Sequence, residues 1–249
     1  MAADILFPQL KVCGVTRPSD LELMAEAGVG AVGLNLVPSS KRKIELNEAT
    51  LLAARARQLG IRVAAVVMDP DPEHLIQVAQ AYEWDYLQLH GREAPTLADH
   101  CASIPIVKAI SWSGRSEEEE LVGCWSQWER SHHRYGSNIP LSEGSQAKGS
   151  LPPRLAGFLV DAYAPLEGGG TGRVADWQLL WPRPQVLEGW PMILAGGLHP
   201  GNVKQAIEQT RCDAVDVASG VEIQPGIKSR EAVLEFARQA KQGFLSLLS

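Results

Sequence analysis

Short apolar runs alternate along this chain with longer segments whose apolar residues recur every three or four positions. The runs fall at 10–13, 31–36, 63–68, 86–90, 106–110, 157–161, 192–195 and 214–217. Several are apolar without a break, the pattern of parallel strands buried on both faces. Helices are expected between them at 18–27, 47–59, 72–82, 95–102 and 200–208, with 229–242 as the closing helix. Four of these segments begin with proline, whose missing N–H costs nothing at the first helical position. Eight strands alternating with helices predict a single (β/α)8 TIM barrel, an α/β fold filling the chain from 1 to 249. The rival is an open doubly wound sheet, which needs a glycine fingerprint after its first strand. Cys13-Gly14-Val15-Thr16 does not supply it, and Gly168-Gly169-Gly170-Thr171-Gly172-Arg173 matches neither GxGxxG nor a P-loop.

The rhythm breaks once, at 111–153, which predicts a long insert between strands five and six. Residues 117–130 open with four glutamates and place Leu121, Trp125 and Trp128 on one stripe, as the outer helix of the fifth βα unit would. A surface that recruits a partner is the alternative reading of this stripe. Residues 131–150 hold few large apolar side chains and read as a flexible polar loop.

Charge and cysteine usage narrow the function. A net charge of −6 argues against broad binding to nucleic acid, while a local pocket can still take a small anion. The four cysteines are scattered, with no CxxC pair, so neither a zinc site nor a disulfide scaffold is indicated. No run approaches the ~18 apolar residues of a membrane span, and residues 1–9 lack a signal-peptide pattern. A cytoplasmic protein is the expectation.

Barrel enzymes place reacting groups where strands end and βα loops begin. Those ends carry Cys13, Asn35, His90, Asp161, Gly196-Gly197 and Ala218-Ser219-Gly220. Paired glycine turns after strands seven and eight are the recurrent phosphate site of this fold, because glycine lets backbone N–H groups approach the oxygens. Gly196, Gly197, Ser219 and Gly220 are therefore candidate phosphate contacts, or else plain tight turns. Cys13 is either a small buried hydrophobe or a reactive thiol, and Lys11 two positions earlier shares its face. Asp161 ends an apolar strand, where a carboxylate is costly unless paired, functional or capping the next turn. Arg42 could clamp a carboxylate through two parallel hydrogen bonds, or belong to a solvated basic loop with Lys41 and Lys43. His90 is a pocket wall or a structural histidine.

Together these segments resemble the phosphoribosylanthranilate isomerases, barrels of tryptophan biosynthesis. The matching stretches are Lys11-Val12-Cys13-Gly14-Val15-Thr16, 33–42, Leu87-Gln88-Leu89-His90-Gly91, Leu159-Val160-Asp161, Gly169-Gly170-Thr171-Gly172-Arg173, 193–198 and 215–222. They occur in the family's order and spacing across the chain apart from the insert. The resemblance implies an Amadori rearrangement of N-(5-phosphoribosyl)anthranilate without metal or organic cofactor. It implies Asp161 as general acid, Cys13 as general base, a role a thiolate fills if positive charge lowers its pKa, and Arg42 on the anthranilate carboxylate. The turns at strands seven and eight would hold the phosphate, with His90 a further substrate contact. Lys41, Lys43, Ala218 and Leu36 depart from residues common in the family at those places. The expected partner is a small phosphorylated substrate, with neither nucleic acid nor membrane. The chain is expected to act as a monomer, with a homodimer as the alternative. The rival function is a non-catalytic barrel that binds a phosphorylated ligand and recruits a partner through the insert.

Overall fold

Eight parallel strands close on themselves in sequence order in the computed structural model, which describes residues 7–101, 104–135, 154–161 and 177–248. The strands are β1 Leu10–Cys13, β2 Ala31–Asn35, β3 Arg62–Val67, β4 Tyr86–Leu89, β5 Ile106–Ser111, β6 Leu155–Asp161, β7 Met192–Ala195 and β8 Ala214–Val217. Pairing of Leu10 with Val215 closes the barrel between β1 and β8. The predicted TIM barrel is therefore the fold.

Strand ends shift by one or two residues from the apolar runs. β6 starts earlier than expected because its pairing with β5 is irregular, Ile106 facing Leu155 while Val107 faces Gly157. Gly157 sits at φ +153, where a Cβ would come within 2.7 Å of the Pro191 carbonyl.

The outer layer holds α1 Pro18–Ala27, α2 Leu46–Gln58, α3 Pro72–Ala81, α4 Ser116–Tyr135, α5 Val203–Thr210 and α6 Arg230–Ser246. Pro18 and Pro72 occupy the first turns of α1 and α3 as their chemistry suggests. Two expected helices differ. Residues 95–100 form only a 3₁₀ turn, and α5 begins at Val203 rather than at Pro200, because 199–202 make a turn closed by Asn202 N–H on the His199 carbonyl. The Trp stripe belongs to α4: Trp125 and Trp128 are buried, and Trp128 donates its indole N–H to Asp99. This helix runs to Tyr135, and residues 136–150 of the expected polar loop lie outside the described residues. Gly168–Arg173 lies outside them as well.

Alternation divides every strand between two cores. Leu10, Val12, Val32, Leu34, Val63, Ala65, Leu87, Leu89, Leu194 and Val217 face the helices in one continuous apolar layer. Ala64, Tyr86, Val107, Ala109, Leu159, Ile193 and Ala214 fill the barrel interior. That same inward parity carries Lys11, Cys13, Gln88, Asp161 and Asp216, so the floor of the site is the uppermost interior layer of the barrel. After β8, a 3₁₀ turn at Ser219–Val221 leads into a hairpin of β9 Glu222–Gln224 and β10 Ile227–Lys228. Among the described residues, no helix is long and apolar enough to cross a membrane.

Candidate active site

A cleft of about 450 Å³ opens at the C-terminal ends of the strands. Cys13, Arg42, His90, Asp161, Gly196, Gly197 and Ser219 all line it. Gly220 alone of the predicted residues is set back from the lining. A Cβ there would collide with the Leu198 carbonyl and reach His199 Cα at 3.0 Å. Glycine at 220 is what lets the turn after β8 press against the turn after β7. Gly196 and Gly197, at φ 89 and 63, make the left-handed turn that bends the chain along the cleft wall.

Cys13 ends β1 facing Gly33 on β2. A Cβ at Gly33 would stand 2.6 Å from Cys13 Sγ and 3.0 Å from Lys11 Nζ, so the glycine makes room for both groups. Lys11 is fully buried and pairs with Asp216 at 2.9 Å. Burial works against the Lys11 charge, but Asp216 and Cys13 outweigh it and its pKa is raised. The thiol of Cys13 is subject to opposing influences. Burial pushes its pKa up, Lys11 pulls it down, the Asp216 carboxylate pushes it up and Lys228 pulls it down, and the net direction is upward. The positive charge foreseen beside the thiol is present; desolvation together with the Asp216 carboxylate exceeds it.

Arg42 is not on a solvated loop. Asn35 at the end of β2 accepts from the Val37 N–H at 2.9 Å, and Ser40 Oγ accepts from the Arg42 N–H at 3.1 Å, which shapes the turn that aims Arg42 inward. Its Nε donates to Glu222 Oε1 at 2.9 Å and its Nη2 to Oε2 at 2.7 Å. The neighbouring Lys43 turns outward to Glu45, and Lys41 is exposed. Gln88 and His90 meet through Gln88 Nε2 and His90 Nδ1 at 2.9 Å. Water reaches the His90 ring, yet the surrounding protein disfavours the imidazolium and lowers its pKa, with Lys11 and Lys108 adding to the effect. His90 is thus held neutral near pH 7.

Three residues of the cleft and its support carried no role in the sequence reading. Asp216 lines the cleft beneath Cys13; it is a carboxylate inside the apolar run Val215-Asp216-Val217, one residue before the strand end, whereas Asp161 ends its strand. Glu222 and Lys228 pair at 2.8 Å across the β9–β10 hairpin, and Lys228 Nζ donates to the Cys13 carbonyl at 2.6 Å. Nothing in strand or helix periodicity marks them. Among the described residues, no group of three His, Cys, Asp or Glu is placed to hold a metal ion.

This arrangement suits acid–base chemistry on a small anion: a thiol and a carboxyl group on inward strand ends, a guanidinium on one side and glycine turns on the other. Known proteins agree with it. The family described as N-(5'-phosphoribosyl)anthranilate isomerase matches residues 10–125 and 146–239. A curated member from Myxococcus xanthus is 38% identical over 235 residues, covering 94% of this chain and 96% of that protein. The crystal structure of the Thermotoga maritima phosphoribosylanthranilate isomerase superposes with a TM-score of 0.71 at 29% identity, covering 95% of this chain and all of that one. Another, of the isomerase in complex with reduced 1-(o-carboxyphenylamino)-1-deoxyribulose 5-phosphate, gives 0.68 at 27% identity with 95% and 100% covered. With matches of this extent on both sequence and fold, the chain belongs to the N-(5'-phosphoribosyl)anthranilate isomerase family.

Proposed function

We propose that this barrel carries out its family's Amadori rearrangement with Cys13 as general base and Asp161 as general acid. The substrate is N-(5-phosphoribosyl)anthranilate and the product 1-(2-carboxyphenylamino)-1-deoxyribulose 5-phosphate, a step of tryptophan biosynthesis. The observation that carries the assignment is the shared cleft. Cys13 and Asp161 line it together with Arg42 on one side and Gly196, Gly197 and Ser219 on the other.

Asp161 donates a proton to the ribose ring oxygen, the C1–O bond breaks, and the nitrogen lone pair forms a protonated Schiff base. Cys13 takes the proton from C2, whose electrons move toward that nitrogen to give an enolamine. Tautomerisation of the enolamine at C2 delivers the ketone. The substrate's own nitrogen is the electron sink, so the residues need only move protons and hold the two anionic ends. Arg42 holds the anthranilate carboxylate, the turns after β7 and β8 hold the phosphate, and neutral His90 bonds the ligand between them. The reduced product analogue bound by a relative has this same pair of ends, a carboxyphenyl group and a 5-phosphate.

A single chain supplies every one of these groups, which supports a monomer as the working unit. A reducing cytoplasm suits four free cysteines. The partner-recruiting alternative loses its main support, since Trp125 and Trp128 are buried in the chain's own core.

Turnover of phosphoribosylanthranilate, followed by loss of its fluorescence without added metal or cofactor, tests the assignment. Cys13→Ser and Asp161→Asn should each lower kcat at least about 10²-fold. Near-normal turnover in both variants would sink the acid–base pair. The polar stretch 136–150 is taken as peripheral, so a chain lacking it should retain most of its turnover in the same assay; collapse of activity refutes that.

A further inference from the structure

Glu222 gathers an unusual number of donors for one carboxylate. Its side chain is only 4% exposed. It accepts from Arg42 Nε and Nη2, from Lys228 Nζ at 2.8 Å and from the Gly226 N–H at 3.1 Å. Burial works against the Glu222 carboxylate, but Arg42 and Lys228 outweigh it and hold it ionised, its pKa lowered. Two cations around one anion leave a net positive charge at the cleft wall.

The geometry also uses up one edge of Arg42. A guanidinium has five N–H donors arranged in two edges that can each grip a carboxylate: a side edge of Nε and one terminal nitrogen, and an end edge of both terminal nitrogens. Glu222 takes the side edge. The end edge, Nη1 with the second Nη2 hydrogen, is left for a ligand. The arginine stem is fixed as well, because it passes over Gly14, where a Cβ would collide with Arg42 Cδ. Lys228 then carries the connection onward, donating to the Cys13 carbonyl at 2.6 Å and the Ala218 carbonyl at 3.4 Å. One hairpin thus ties together the loop after β2, the end of β1 and the end of β8.

We propose that Glu222 is a positioning residue that occupies the side edge of Arg42, committing it to grip a planar carboxylate end-on, while Lys228 keeps that grip in register with the strand end carrying Cys13. The proposal rests on Arg42 being the carboxylate contact. It makes Glu222 a determinant of specificity for the carboxylate-bearing end of the substrate, with no part in phosphate affinity.

Two ligands separate these ends: reduced 1-(o-carboxyphenylamino)-1-deoxyribulose 5-phosphate, which has both, and ribose 5-phosphate, which lacks the carboxylate. Glu222→Gln, nearly identical in shape, should weaken the first by about ten-fold, a step of about 1.4 kcal/mol. It should raise KM by a similar factor, lower kcat by less than about three-fold, and leave ribose 5-phosphate within about two-fold. Arg42→Met should show the same split, and the double variant little further loss, because the two residues act as one device. Glu222→Asp keeps the charge but shortens the reach; it should show a smaller loss of the same kind, which guards against a folding defect in the first variant. Equal weakening of both ligands overturns the proposal, as does full additivity of the two single losses. Loss in Arg42→Met without loss in Glu222→Gln overturns it while leaving the Arg42 assignment standing. No loss in either removes the Arg42 assignment, and the proposal with it.

Discussion

Two buried lysine pairs stand on opposite sides of the same sheet, and their surroundings assign them different work. Lys108 on β5 faces outward, between sheet and helices, and pairs with Glu93 at 2.7 Å with neither side chain exposed. Its other bonds go to the Leu89 and Gly91 carbonyls, and Glu93 accepts from the Asp69 and Gly91 N–H groups. The ammonium sits 5.9 Å from the centre of the Trp125 ring. All three donors of Lys108 are spent on protein, so this pair fastens the loop after β4 to its neighbours. Lys11 on β1 faces inward and pairs with Asp216, which lines the cleft, next to the Cys13 thiol. The contrast shows in the pKa directions: burial lowers Lys108 despite Glu93, whereas Asp216 and Cys13 overcome burial and raise Lys11. A closed pair is architecture. An open pair beside the proposed base sets the potential at its thiol.

The largest expected effect lies on the closed side. Lys108→Met strands Glu93 in a dry site and should cost about 3–5 kcal/mol in urea unfolding. Replacing both, as Lys108→Met with Glu93→Leu, should return most of that loss. A single-variant cost below about 1 kcal/mol would mean that the pair fastens nothing.

On the open side the effect should move from stability to rate. Lys11→Met removes the cation that draws the Cys13 thiol downward, and kcat should fall on the order of ten-fold, about 1.4 kcal/mol of lost charge stabilisation. Its stability cost should be smaller than that of Lys108→Met, because Asp216 borders the cleft and water can replace the lost partner. Unchanged kcat with an equal loss of stability would erase the distinction between the two pairs.

The smallest effect reads the thiol itself. Burial makes the Cys13 thiol harder to ionise than a free thiol, so its thiolate fraction grows as pH rises. In a chain with the exposed Cys124 changed to Ser, iodoacetamide should modify Cys13 more slowly than a free thiol at pH 8. The rate should climb steadily between pH 7 and 9, and Lys11→Met should slow it further by a few-fold. Cys101 and Cys212, pushed to about 12, should stay unmodified. A rate independent of pH across that range would show a depressed thiol and contradict the balance described.

The strands were legible because parallel strands buried on both faces write themselves as unbroken apolar runs, and β1, β7 and β8 fall on the residues expected. Helix starts were legible where proline takes the first turn, as at Pro18 and Pro72, and misread at Pro200, where the same residue serves a turn before α5. Cys13 and Asp161 could be picked out by their place at strand ends. Asp216 lies one residue short of the end of β8, so a rule that reads only strand ends passes over it. Glu222 and Lys228 could not be picked out either, since a hairpin of three and two residues has no periodicity to detect and its partners, Arg42 and Cys13, are far away in sequence. The direction of the Cys13 pKa was not legible either, because burial and the Asp216 carboxylate act against two lysines, a contest that only the packed arrangement settles.

Gly33 has a consequence for how freely this barrel could change its chemistry. Barrel interiors are ordinarily stacked from bulky branched residues, each tier wedged by the side chains of alternate strands. Here one tier gives up a whole side chain at position 33, and the sulfur and ammonium of β1 occupy the volume left over. The thiol proposed as the base is therefore also a packed part of the barrel interior. Enlarging residue 33 would evict the thiol, and replacing Cys13 by anything larger would press on the neighbouring strand. New activities could be grafted onto the loops of this barrel one residue at a time, but a larger group at position 13 could be introduced only together with a change in the strand beside it.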